Sequence, residues 1–195
     1  MRTAIRTPIS LAAVVFLFGT ALSPAQDRRQ GLDLFGQVLR HVQVCPLISD
    51  PRGNAGSNPV DFRHLFVGND GQNVYFLVEF AGDASKNVLS VIHLDTDMDQ
   101  TTGCNVSIPR LNGSEYGIFF QSPTSGGDFV GNLTSCSAGS DDFPNKGGIR
   151  TATHGHFIAA VVPIATLQIL TPATNGFLVW FDGGGNFGPA GYTFH

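Results

Sequence analysis

An antiparallel β-sandwich is the fold this sequence predicts, and three observations predict it. Short runs of aromatic and β-branched residues with period-two alternation recur along the chain. Clusters of Gly, Asn, Asp and Ser punctuate those runs. Helical patterns do not alternate with the strands, which removes the signature of a parallel sheet. The chain has 195 residues, with 24 Gly, 11 Pro and 16 Phe against one Trp and two Met. So many glycines without a collagen period belong to tight turns. Hydrophobic residues make up 42% and charged residues 13%. That is too apolar for disorder and too sparsely charged for a coiled coil. The net charge is −4 and the pI about 5.8, which argues against a nucleic-acid binder, since that needs a basic face to neutralise phosphates.

Residues 1–25 read as a secretory signal peptide. Arg2 and Arg6 form a basic start, residues 9–22 are apolar, and Ser23 and Ala25 stand at −3 and −1 before Gln26. The apolar run is shorter than the ~20 residues of a membrane anchor. Cleavage there removes two arginines, deepens the net charge from −4 to −6, and leaves an exported product with no membrane span. Residues 26–48 form a lead-in. Leu32, Phe35, Val38, Leu39 and Val42 recur at helical spacing and predict a short N-terminal helix, which Gly31 and Gly36 weaken. The sandwich domain is expected over 49–195 and opens with a turn-rich loop at 49–60.

In 61–67, Phe62, His64 and Phe66 alternate with Arg63, Leu65 and Val67. The turn Asn69-Asp70-Gly71-Gln72 follows. In 73–81, Val74, Phe76, Val78 and Phe80 share one face, while Tyr75, Leu77 and Glu79 share the other. The two runs predict a hairpin. Further strands are expected over 88–95, 114–121, 127–134, 156–162 and 176–182. Pro163 to Leu167 suit a single helical turn with Pro at its first position. The total is seven or eight strands.

Cys45, Cys104 and Cys136 allow one disulfide in three pairings, and an oxidising compartment favours one. Cys104 and Cys136 lie in polar loop sequence and are the expected pair. Cys45, between Val44 and Pro46, is expected to be a buried thiol.

The stretch with chemistry in it is Asp95-Thr96-Asp97-Met98-Asp99-Gln100-Thr101-Thr102-Gly103. Asp95, Asp97 and Asp99 alternate, so leaving a strand they can curl around one point. Carboxylates that close repel unless a cation compensates them, and several hard oxygens are what Ca²⁺ takes. Thr102 adds an oxygen and Gly103 permits the return turn. An EF-hand is excluded, because its Gly and terminal Glu positions hold Gln100 and Val106. The alternative is a solvated acidic turn. Gly183 to Gly188 satisfy a G-x-G-x-x-G pattern, but Pro189 follows where a phosphate-binding helix should begin. His154 and His156 are read as surface histidines.

The run Phe62 to Phe80, then Val91-Ile92-His93-Leu94-Asp95-Thr96-Asp97, Thr102-Gly103 and Gly113-Ser114-Glu115-Tyr116, resembles secreted β-sandwich domains related to family 9 carbohydrate-binding modules and DOMON domains. Asp50 to Asn54 and Val161 to Ile164 fit the same layout, so the resemblance covers roughly 49–182. It implies a jelly-roll-like sandwich with structural Ca²⁺ near Asp95, Asp97 and Glu115. Neither the Met nor the His that ligates haem in one DOMON branch maps onto a motif position here.

Three functional classes follow. The first is a secreted, non-enzymatic module, stabilised by Ca²⁺, that binds a glycan or cell-surface ligand. Tyr75, Tyr116 and Trp180 are its candidate stacking residues. The second is an extracellular adhesive subunit assembling through strand edges. The third is a small secreted hydrolase, for which no G-x-S-x-G or HExxH motif is present.

Overall fold

The computed structural model describes residues 24–50, 58–87, 89–104, 113–121, 130–136, 144–167, 175–183 and 185–195. The expected signal peptide lies almost wholly outside these residues. The described part contains helix α1 (Pro24–His41) and eleven strands: β1 (Ile48–Ser49), β2 (Phe62–Asn69), β3 (Asn73–Phe80), β4 (Leu89–Asp95), β5 (Tyr116–Gln121), β6 (Val130–Ser135), β7 (Asn145–Gly148), β8 (Arg150–His154), β9 (Phe157–Pro163), β10 (Gly176–Asp182) and β11 (Asn186–Thr193). They form a five-stranded sheet in the order β1-β2-β3-β9-β8 and a six-stranded sheet in the order β11-β10-β4-β5-β6-β7. Every pairing is antiparallel. The all-β sandwich that the alternation predicts is the fold.

The core sits between the sheets. Alternation aims Val74, Phe76, Val78 and Phe80 of β3 inward, opposite Ile92 and Leu94 of β4 and Phe177, Val179 and Phe181 of β10. Phe62 stacks on Phe181 at 4.2 Å between ring centroids. Each such fully buried Phe contributes roughly 1.5–3 kcal/mol of transfer free energy. The phase of β2 differs from a strict alternation, because a register shift separates Phe62 from His64. Phe62, Leu65 and Val67 are therefore the core residues of β2, while His64 and Phe66 face outward.

Helix α1 is 18 residues long and packs on the five-stranded sheet. Its buried stripe is Leu34, Phe35 and Val38, packed on Tyr75, Leu77, Ala152, Ala159 and Val161 on the outer face of the five-stranded sheet. Leu32 and Leu39 of the expected stripe are 60% and 56% exposed. The backbone of Val42 bridges Gly68 of β2, where an added Cβ would collide with the His41 carbonyl. Cys45, expected to be buried, is exposed: it stands in the exposed stretch 43–46 between Val42 and Leu47, which pack against the two core clusters.

Candidate metal centre

Three elements bring the acidic residues together. β4 ends at Asp95, the chain then turns through Thr96–Thr102, and Glu115 immediately precedes β5. Pairing of β4 with β5 fixes Glu115, whose amide donates to the Leu94 carbonyl at 3.0 Å. Asp95, Asp97 and Glu115 each present a carboxylate oxygen, and these atoms all lie within 4.8 Å of one another. None of the three forms an ion pair with Lys, Arg or His among the described residues.

Asp95 is completely buried, and neither of its carboxylate oxygens makes a hydrogen bond. The Met98 amide lies near enough to oppose the effect slightly, but it does not reach hydrogen-bond geometry. Burial first, and then the Glu115 charge, push the Asp95 carboxyl up to about 7. Burial also raises Glu115, against the pull of the Thr96 amide and the Thr102 hydroxyl. Thr96 donates its amide to Glu115 Oε2 at 2.7 Å.

Thr102 stands at the centre of a proton shortage. Its hydroxyl oxygen lies 3.1 and 2.9 Å from the two Asp97 oxygens, 2.9 Å from the Asp99 carbonyl and 2.9 Å from Glu115 Oε1. A hydroxyl has one proton to donate, so most of these contacts are oxygen against oxygen. Two orphaned buried oxygens on Asp95 and a crowd of acceptors around one donor make a group of oxygens that could hold a hard cation.

The structure brings Asp95, Asp97, Glu115 and Thr102 together, and it sends Asp99 elsewhere. Met98 adopts a positive φ of 58°, which reverses the chain between Asp97 and Asp99. The exposed Asp99 carboxylate instead accepts from the Thr101 amide at 2.9 Å and hydroxyl at 2.7 Å. Gly103 returns the chain with φ +61°, and a Cβ there would stand 2.6 Å from Glu115 Oε1. Thr96 was missed by sequence reasoning. Its position between two aspartates gives no signal of a role, because the shorter of its two contacts with Glu115 Oε2 is made by the backbone amide, at 2.7 Å against 3.3 Å for the hydroxyl.

The three candidate stacking aromatics are all buried. Tyr116 belongs to the inter-sheet core. Tyr75 lies under α1, stacks on His41 at 4.6 Å and donates its hydroxyl to Asp70 at 2.6 Å. Trp180 is 1% exposed and pairs across strands with the buried His93. None presents an open ring to a ligand, so these assignments are corrected. His154 and His156 flank Gly155 in an exposed turn; His154 meets the edge of Phe35, and His156 Nδ1 lies 2.9 Å from the Gly82 carbonyl.

Cys104 and Cys136 form the expected disulfide. Among the described residues no helix is long and apolar enough to cross a membrane. No family model matches the chain, and neither a curated protein nor a solved structure matches it.

Proposed function

We propose that this chain is an exported, non-enzymatic β-sandwich module whose fold is completed by Ca²⁺ held by Asp95, Asp97, Glu115 and Thr102. The observation that carries the reading is the buried Asp95 carboxylate, which has no hydrogen bond and no countercharge beside two further carboxylates. An all-oxygen donor set suits Ca²⁺ rather than Zn²⁺ or Cu²⁺, which favour nitrogen or sulfur. Mg²⁺ suits it less well, because it demands a tight octahedral shell and keeps its waters. The disulfide fits export into an oxidising compartment. The resemblance to family 9 carbohydrate-binding modules and DOMON domains supports the structural Ca²⁺, and the loops and sheet faces of a sandwich offer surfaces for a glycan or cell-surface ligand. Assembly through strand edges is less well supported. Three edges carry features that discourage pairing: Lys146 on β7, Arg150 on β8 and Pro189 on β11.

Isothermal titration of Ca²⁺ into chelator-treated protein tests the centre. One ion per chain is expected, lost in Asp97→Ala, weakened in Glu115→Ala and retained in Asp70→Ala. Equal binding by Asp97→Ala and the parent would place any ion elsewhere. A glycan array probed with and without Ca²⁺ tests the ligand class.

A further inference from the structure

The disulfide and the acidic cluster share one short piece of backbone. Cys104 follows Thr102 by two residues, and its amide donates to the Ser114 carbonyl at 2.9 Å. The Gly113 amide returns to the Cys104 carbonyl at 3.2 Å. From the other side, the Cys136 amide donates to the Glu115 carbonyl at 2.8 Å. The sulfur bridge thus ties together the two segments that hold Ser114 and Glu115, with 5.3 Å between the cysteine Cα atoms. Cys104 is buried at 1% exposure. Gly103, the single residue between Thr102 and Cys104, lies against Glu115 Oε1 and the Ser114 carbonyl.

We infer that the Cys104–Cys136 disulfide gates cation loading: the oxidised chain holds the Thr102 oxygen against Asp97 and the strand-anchored Glu115, and reduction lets the Thr102 segment move away. The inference rests on the cation reading above. Without an ion the carboxylates repel, and the covalent bond resists that repulsion by keeping the loop closed. Once the bond is cut, part of the binding free energy goes into re-ordering the loop, and affinity falls. Linkage makes the coupling reciprocal, so bound Ca²⁺ must make the disulfide harder to reduce by the same factor. In the test reaction dithiothreitol supplies two electrons and two protons. The Cys104–Cys136 bond breaks to two thiols, and the reagent closes to its cyclic disulfide. The site therefore loads in an oxidising compartment and stays weak in a reducing one.

The experiment uses the full chain with Cys45→Ser, which removes the exposed third thiol from exchange. Ca²⁺ is titrated calorimetrically into oxidised protein, dithiothreitol-reduced protein and a Cys104→Val/Cys136→Ala variant, with circular dichroism confirming the fold of each. The dissociation constant is expected to rise about tenfold or more in the two unbridged forms, within the usual range of coupling between sites. Saturating Ca²⁺ should shift the dithiothreitol equilibrium by a matching factor. Leu34→Ala, a change in the separate apolar cluster under α1 on the five-stranded sheet, should leave the dissociation constant unchanged. Equal affinity in oxidised and reduced protein overturns the gating and leaves the cation reading standing. No binding by oxidised protein removes both. Where the double variant loses its fold, the reciprocal measurement decides: a dithiothreitol equilibrium indifferent to Ca²⁺ overturns the inference.

Discussion

Proton competition at Asp95 gives the sharpest quantitative expectation. Its carboxyl stands at about 7 in the folded chain against 3.8 for the unperturbed group. A raised folded value means that the metal-free native state binds the proton more tightly than the unfolded chain. The stability this contributes is fully present below pH 3.8 and is lost as pH rises through 7. The whole interval is worth about 4 kcal/mol at 1.36 kcal/mol per unit. Ca²⁺ acts in the opposite direction, because it binds the ionised carboxylate and must expel the proton. Lowering the pH from 7.5 to 5.5 should therefore weaken Ca²⁺ binding about 25-fold, or about 2 kcal/mol. Calorimetric titration in buffers of different ionisation enthalpy reads both the affinity and the protons released. About one proton per ion is expected at pH 5.5 and about half of one at pH 7. An affinity unchanged across this range, with no proton release, would refute the assignment of Asp95 as a buried ligand.

Three further expectations follow from the same packing. Burial holds the His93 imidazole down at about 4, so its contribution of about 3 kcal/mol is present above pH 6.5 and lost as pH falls through 4. The Ca²⁺-loaded protein should thus lose stability in acid, whereas in the metal-free protein Asp95 opposes the trend; urea melts at pH 5 and 7 read the difference. Phe181→Ala, which removes a ring stacked on Phe62 in the closed core, should cost about 3–5 kcal/mol in urea denaturation. A loss under about 1 kcal/mol would mean that the two sheets do not pack through this ring. Gly103→Ala introduces a Cβ at φ +61° and 2.6 Å from Glu115 Oε1. It should weaken Ca²⁺ binding in the same titration, and an unaltered affinity would show that Gly103 does not shape the site.

The hairpin of β2 and β3 was legible because both signals act locally: an Asp-Gly turn and alternation on faces with unlike neighbours. β4, β5 and β10 were legible as short runs of apolar, β-branched and aromatic residues. β8 was not, since only Ala152 of Arg150–His154 is buried, and a polar edge strand carries no hydrophobic period. β11 was not among the expected strands because its Gly and Pro content masks alternation, yet pairing with β10 holds it extended. β7 is exposed at every residue. The helix was visible but its phase was not. Leu32 and Leu39 satisfy the period as well as Leu34 does, and only the outer face of the sheet selects between them. In the candidate site Asp95, Asp97 and Thr102 were readable from spacing, and Glu115 from the family resemblance. Asp99 was misplaced because the left-handed turn at Met98 has no signature in a Met. The aromatics were misjudged because Trp180 faces away from the inter-sheet core yet is buried, a condition that alternation does not encode.

Thermal unfolding in Ca²⁺ and in chelator tests the central claim most directly. If the oxygens of Asp95, Asp97, Glu115 and Thr102 hold Ca²⁺ in the native state and not in the unfolded chain, Ca²⁺ at 100 times its dissociation constant stabilises the fold by about 2.7 kcal/mol. The melting temperature should rise with Ca²⁺, fall with chelator, respond poorly to Mg²⁺ and become indifferent to all three in Asp97→Ala. Superimposable melting curves in Ca²⁺ and chelator, with no Ca²⁺ in the purified protein, would show that the cluster is a solvated acidic turn.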